Sequence, residues 1–360
     1  MKLIAQAKPD TTPEQADALK RTLETANAAA NYASQRAWET KTFGQYALHH
    51  LVYREVREQF GLSAQMTVRV ISKVADAYKL DRKTLRIFKP LSSIAYDDRI
   101  LSWRFSDQTV SLWTLDGRLR IPFLAGDRQL ALLQTMRGEA DLVYRDGQFF
   151  LYQTCNVEEP PPGEPDGFLG VDLGVVNIAA TSDGETFSGK AINNVRARFA
   201  RLRTKLQKKG TKSAKRLLKK RRRRERRFQQ NVNHVIAKAL VAQAKDTGRG
   251  IALEDLKHIR SRVTVRKSQR RVLHSWAFFD LRAKIEYKAR LAGVKVVLVD
   301  PRNTSRTCPL CGCIDKKSRR TQSQFSCTGC GYSAPADQNA ACIIAGRAAV
   351  ILPNVAALAG

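Results

Sequence analysis

Apolar and polar residues alternate through the opening MKLIAQAK, a period of two that predicts a strand. The period then changes. Thr12-Pro13-Glu14-Gln15 reads as a capping box with proline at the first helical position, and Ala16, Leu19, Leu23, Ala26 and Ala30 follow at helical spacing. A second helical region is predicted over about 43 to 80, carried by Leu48, Leu51, Val52, Val56, Met66, Val70, Val74 and Tyr78. From about 85 to 157 the period returns toward two. RIFKPL, ILSWRF, TVSLWTL, RLRIPFL, ADLVYRD and QFFLYQTCNV read as short strands, with turns at Asp116-Gly117 and Asp146-Gly147. Together they predict a small barrel or sandwich. MKLIAQAK could be its first strand, which would make residues 10–82 a helical insertion.

EEPPPGEPDG, residues 158–167, breaks the pattern and marks a linker. Beyond it, GFLGVDLGVVNIAATSDG reads as a strand, a tight glycine turn at Gly174 and a second strand. A long basic stretch covers 195–245. RGIALEDL is an apolar strand ending in acid, and WAFFDLRAKIEYKARLAG an amphipathic helix ending at Gly293. VKVVLVD is another buried strand. A cysteine-rich segment follows, and then ADQNAACIIAGRAA, a helix. The tail AAVILPNVAALAG, broken by Pro353, reads as a core helix or a terminal strap.

Charge narrows the partners. The 360 residues carry 63 Lys+Arg against 33 Asp+Glu, a formal charge of +30. Such self-repulsion is relieved by a polyanion, and nucleic acid is the leading candidate. An anionic membrane would want an anchor, and no window approaches the roughly 20 apolar residues of a spanning helix. The opening residues lack the apolar core of a signal peptide, so the cytoplasm is the expected location. There, seven cysteines suggest metal binding over disulfides. The charge concentrates between Arg201 and Arg227, where 16 Lys/Arg face Glu225 as the only acid. A run of this kind is most often a solvated face. Here Leu202, Leu206, Leu217, Leu218, Phe228, Val232, Val235 and Ile236 interleave with it. That pattern predicts a helix or helical hairpin gripping a phosphate backbone, with Lys219, Lys220, Arg221, Arg222, Arg223 and Arg224 as contacts. These would fix affinity and register without reading sequence.

Cys308-x-x-Cys311 and Cys327-x-x-Cys330, 15 residues apart, have the spacing of a four-cysteine zinc site. Gly312 and Gly331 suit the two tight turns. Four thiolates leave no open position, so the Zn²⁺ would be structural. Cys313 is spare, and Cys155 and Cys342 sit in apolar runs. Three acids stand out as well. Asp172 lies inside an apolar strand, Glu254 ends another, and Asp337 opens the last helix. Converging, they could hold two Mg²⁺ ions for phosphodiester hydrolysis. Each acid alone is more often structural, and Asp255 and Asp300 could fill similar roles. His49, His50, His234, His258 and His274 show no metal or nucleophile spacing. Trp276, Phe278 and Phe279 look like a core stripe.

The order DLG, a strand-end ED, then NTSRTCPLCG…CTGCGY…ADQNAA resembles the TnpB family of transposon-encoded RNA-guided nucleases, relatives of the compact type V CRISPR effectors. The family's first knuckle often carries serine where Pro309 stands, a change that spares the ligands. The resemblance covers the whole chain and is strongest from 167 to 345. It implies a multidomain α+β protein. A small N-terminal β-barrel (1–9 and 83–157) with a helical recognition insertion (10–82) would lead through a linker (158–167) into an RNase H-like, RuvC-type α/β nuclease core (168–305 and 334–360). That core would include the basic region 195–245 and carry an inserted zinc ribbon (306–333). The family's catalytic acids fall on Asp172, Glu254 and Asp337. The implied activity is RNA-guided, Mg²⁺-dependent cleavage of double-stranded DNA, with a guide RNA from the transposon end. A transposase, a regulator that binds without cutting, and a compact type V effector remain alternatives.

Overall fold

The structure is a computed structural model describing residues 1–256 and 278–351. His258, His274, Trp276 and the chain beyond Ile351 lie outside the described residues. The chain divides into two compact units, Met1–Glu158 and Glu159–Gly360. No helix among the described residues is long and apolar enough to cross a membrane.

In the first unit, strand β1 (Lys2–Pro9) leads into helices α1 (Pro13–Thr40), α2 (Gln45–Phe60) and α3 (Ala64–Leu80). The Thr12/Gln15 capping box forms as the sequence predicts. The expected second helical region is two helices. Gly61 takes a left-handed φ of 61° and ends α2, and the Ser63 hydroxyl accepts from the Met66 N–H to start α3. Strands β2 (Ile94–Tyr96), β3 (Leu101–Arg104), β4 (Thr109–Thr114) and β5 (Gly117–Leu124) follow. Then come a short helix α4 (Asp127–Leu133), β6 (Met136–Arg145) and β7 (Gln148–Asn156). They form one antiparallel sheet in the order β2-β6-β7-β1-β5-β4-β3. Its edge strands β2 and β3 are consecutive in the chain, so the sheet curls until it is nearly closed. The opening strand sits at its middle: six of its residues pair with β7 and its last two with β5. Apolar faces of α1, α2 and α3 share one core with this sheet.

RIFKPL is not a strand. Phe88 and the Asn31 side chain exchange two hydrogen bonds of 2.7 and 3.0 Å. Ser34 donates to the Arg86 carbonyl, and Asn27 to the carbonyl of Pro90. Polar side chains of α1 thus take the place of a neighbouring strand, which satisfies the backbone without a ladder.

The second unit holds β8 (Phe168–Asp172), β9 (Asn177–Thr181), β10 (Thr186–Ser188), α5 (Lys190–Lys209), α6 (Lys212–Asp246) and β11 (Gly250–Glu254). After 277 come α7 (Phe278–Ala292), β12 (Val296–Val299), a hairpin of β13 (Gln324–Ser326) and β14 (Ser333–Pro335), and α8 (Ala336–Ile351). The sheet order is β10-β9-β8-β11-β12, with β8, β11 and β12 parallel. Alternation along these strands sorts their side chains. Leu169, Val171, Ile251 and Leu253 pack with Ile236, Leu240, Leu281 and Ile285 of α6 and α7. Phe168, Ala252, Val297 and Val299 pack with Ile344 and Ala348 of α8 on the other face.

Gly170 belongs to that second face. A Cβ there would lie 1.9 Å from the Ala341 carbonyl oxygen and 2.8 Å from the Ala345 nitrogen. Only glycine lets α8 lie this close. Gly170→Ala is therefore expected to lower the stability of the second unit by about 1–3 kcal/mol, the cost of overpacking a tight contact. Thermal unfolding of the full chain checks this; the first unit's transition should not move.

Candidate active site and metal centre

The same alternation that places Gly170 under α8 places Asp172 and Glu254 there too. Leu253 pairs with Val171, so the next residues, Glu254 and Asp172, end neighbouring parallel strands on one face. Helix α8 brings Asp337 to that sheet end in its first turn. A negative charge there also faces the positive end of the helix dipole. Gly174 shapes the turn after Asp172 through space: a Cβ would lie 2.7 Å from the Asn177 carbonyl oxygen.

All three acids are half-buried. Burial pushes the Asp172 carboxyl up from 3.8 to about 7, and the charges of Glu254 and Asp337 add to the rise, while Arg319 opposes it. Burial also raises Glu254, against a hydrogen bond from Thr304. Thr304 Oγ1 donates to Glu254 Oε1 at 2.5 Å, and Asn177 Nδ2 donates to Asp337 Oδ2 at 2.8 Å. The Arg319 guanidinium lies 3.9 Å from Asp337 Oδ1. Arg319, Thr304 and Asn177 carry no spacing signal in the sequence. Arg319 comes from the cysteine-rich segment and reaches the acids only through folding.

The other two acids have partners of their own, although the charge of Asp300 adds to the rise at Glu254. Asp255 forms an ion pair with Arg282 at 2.8 Å, and the Asp300 side chain accepts from the Arg302 N–H in its own turn.

The four cysteines close into one cluster, with their sulfurs within 4.8 Å of one another. Cys308 Sγ lies 3.6 Å from Cys330 Sγ, and Cys311 Sγ lies 3.5 Å from Cys327 Sγ. Thiolates about 2.3 Å from a central Zn²⁺ would stand about 3.8 Å apart, so the donor set fits a tetrahedral ion. The two knuckles repeat one turn. Gly312 N–H donates to the Cys308 carbonyl and Gly331 N–H to that of Cys327, both at 3.1 Å, with φ of 70° and 78°. Among the described residues, no other group of three or more possible ligands closes so tightly. The three carboxylates are spread more widely than the thiols.

Lys219, Lys220 and Arg221–Arg224 lie on α6, whose 35 residues make a rod about 50 Å long. All six are exposed except the half-buried Arg221. Arg203 of α5 pairs with Glu225 of α6 across the hairpin. Between the two helices lies a cleft of about 480 Å³, with Phe199, Leu202, Leu206 and Leu218 as apolar walls and Arg221 and Arg222 beside them. His49 stacks on Tyr53 along α2, and His234 contacts Tyr287.

Fold and site together define a basic, two-unit mixed α/β protein with an acidic sheet end and a four-cysteine cluster. Residues 278–344 match the family model "Cas12f1-like, TNB domain", and residues 152–258 match "Probable transposase", of the OrfB_IS605 family. A CRISPR-associated endodeoxyribonuclease Cas12f1 of Sulfoacidibacillus thermotolerans is 41% identical over 129 residues, 36% of this chain and 28% of that protein. The TnpB-like protein MJ0751 of Methanocaldococcus jannaschii is 36% identical over 158 residues, 43% of this chain and 55% of that protein. The chain thus spans between about a quarter and about half the length of these curated relatives. A Cas12f1–sgRNA–target DNA complex contains a chain of the same fold, with a TM-score of 0.61 at 16% identity, covering 93% of this chain and 83% of that one. These matches make the chain similar to TnpB-like and Cas12f1 proteins, as the sequence motifs suggest.

The acidic cluster sets a pH dependence. Asp172 holds its proton more tightly folded than unfolded, so its contribution to stability is greatest below 3.8 and is lost as pH rises through about 7. Glu254 shifts in the same direction. In magnesium-free buffer, Asp172→Asn should flatten the loss of thermal stability between about pH 5 and about pH 8. A pH profile of unfolding temperature identical to the parent's would refute the burial argument.

Proposed function

We propose that the chain is an RNA-guided, Mg²⁺-dependent DNA endonuclease of the transposon-encoded TnpB type. The observation that carries this reading is the gathering of Asp172, Glu254 and Asp337 at the end of one sheet face, where burial and mutual repulsion raise the Asp172 carboxyl. Such a cluster calls for a cation. The reading also draws support from the endodeoxyribonuclease name of the Cas12f1 relative and from the sgRNA and target DNA bound to the structural neighbour.

In this reading residues 168–305 and 334–360 form an RNase H-like, RuvC-type core, and 306–333 a zinc ribbon. Residues 1–9 and 83–157 form the β-barrel domain, with 10–82 as its helical recognition insertion and 158–167 as the linker. Asp172, Glu254 and Asp337 hold Mg²⁺, which when bound supplies the charge for a two-metal hydrolysis of a phosphodiester. Arg319 offers its guanidinium to an oxygen of the scissile phosphate, since it already leans toward the acids. Cys308, Cys311, Cys327 and Cys330 hold Zn²⁺ and fix the ribbon. Lys219, Lys220 and Arg221–Arg224 hold the guide RNA and its duplex with target DNA through phosphates. Base pairing then reads the target sequence, leaving the protein to read shape and a short flanking motif.

Two experiments test this. Asp172→Ala should cut cleavage by more than the roughly 10–100-fold typical of losing a residue that only hydrogen-bonds to a metal ligand, with guide RNA binding kept. Full-rate cutting by that variant sinks the assignment. Replacing Arg221, Arg222, Arg223 and Arg224 together with Gln should weaken RNA binding. It should also reduce the slope of log affinity against log salt by about three, at 0.7 to 0.9 per lost phosphate contact. An unaltered slope would place the guide elsewhere. RNA-free protein cutting a specific duplex at full rate would favour a transposase that reads DNA directly.

A further inference from the structure

We infer that Asn177 and Thr304 are positioning residues, each tying down one oxygen of a catalytic carboxylate so that the other is presented to the metal. The inference rests on the nuclease reading above. A carboxylate in the first turn of a helix can rotate about two side-chain bonds. Asp337 is denied that freedom: Asn177 Nδ2 donates to its Oδ2 at 2.8 Å, and Arg319 lies on the side of Oδ1, 3.9 Å away. One oxygen is thus engaged by an amide, and the other faces the cationic side of the site.

Glu254 is held the same way from a different segment. Thr304 is 4% exposed, and its hydroxyl has one proton to give. Two acceptors lie in reach, Glu254 Oε1 at 2.5 Å and the Pro301 carbonyl at 3.2 Å. The shorter contact, to a carboxylate, takes the proton. Oε2 remains for a cation. Asp172 ends β8 beside Glu254. Two of the three acids thus have a fixed side-chain donor.

The donors come from other parts of the chain. Asn177 follows Asp172 by one turn and opens β9, yet it holds Asp337, 160 residues away. Thr304 precedes the cysteine cluster and holds Glu254, 50 residues back. Each donor belongs to a segment other than that of the acid it holds. An acid can then reach its working geometry only when both segments are docked. Neutral donors suit this task, because they orient a carboxylate without cancelling the charge that a cation must meet. Outer partners of this kind typically change metal affinity by 10–100-fold.

The test uses the full zinc-loaded chain and the variants Asn177→Leu and Thr304→Val, which keep the branched shape and lose the donor. Mn²⁺ binding is titrated calorimetrically without nucleic acid, and cleavage is followed against Mg²⁺ concentration. Each variant should bind Mn²⁺ about tenfold or more weakly. Each should need correspondingly more Mg²⁺ for half-maximal cutting and should recover most of its rate at saturating metal. Guide RNA affinity and unfolding temperature should stay with the parent, and Thr304→Ser should behave as the parent. Parental Mn²⁺ affinity in both variants overturns the inference. So does a rate loss that excess metal does not restore, accompanied by a lower unfolding temperature, which marks a merely structural role. Asp337→Asn is run alongside. If it too leaves Mn²⁺ binding unchanged, the nuclease reading has failed; if it weakens binding while Asn177→Leu does not, only the positioning role has failed.

Discussion

Three carboxylates crowded at one sheet end repel one another, and much of the second unit is arranged to bear that repulsion. The strand register puts Asp172 and Glu254 side by side, where apolar neighbours strip away the water that would screen them. Local features reduce the cost without removing it. Asp337 sits at a helix N-terminus, Thr304 and Asn177 each give a hydrogen bond, and Arg319 supplies a nearby positive charge. The raised carboxyl of Asp172 is what remains unbalanced. A proton or a cation relieves charge of that kind, and perturbed carboxylates gathered in this way are a mark of functional sites.

The elements that deliver the acids are set by packing on the opposite side of each strand. Leu169, Val171, Ile251 and Leu253 are drawn into the core with α6 and α7, and alternation then forces Asp172 and Glu254 to the α8 face. A slip of one residue in either strand would exchange acid for leucine. Gly170 completes the arrangement by letting the α8 backbone approach to contact distance. The geometry of the site is thus inherited from hydrophobic register and one missing side chain.

Sequence patterns made legible whatever depends on local spacing. The Thr12/Gln15 capping box, the paired knuckles and the alternation of the opening strand all involve residues close in the chain, and all appear in the structure. The basic run is likewise visible and forms two helices. What escaped depends on distant partners. RIFKPL has the composition of a strand, but Asn27, Asn31 and Ser34 of α1 take over its hydrogen bonds. The helix α4 is only seven residues long and falls between two strands, too short for a helical period to register. Gly61 and Ser63 are a stop and a start, and a continuous apolar stripe across them hid the break. Arg319, Thr304 and Asn177 acquire their roles only when segments up to 160 residues apart are brought together.

The cysteine cluster and the acidic cluster are linked through one stretch of chain. Thr304 stands four residues before Cys308, and Asp337 two residues after β14 ends, so the cysteine-rich segment is bounded by the donor that holds Glu254 and by the third acid itself. Its two ends are tied together: Asn339 of α8 donates to the Thr307 carbonyl, and the Ala336 N–H to that of Ser323. Arg319 projects from between them toward Asp337. An ion held by the four sulfurs would restrain the segment that carries Arg319 and is bounded by Thr304 and Asp337. Apart from the thiols, the segment rests on a small buried cluster of Cys308, Phe325, Cys327 and Ala336, with Cys313 and Tyr332 packed against it. So small a core stabilises a fold weakly on its own. If the four sulfurs hold the proposed Zn²⁺, the ion would help order the segment that leads the chain to Asp337.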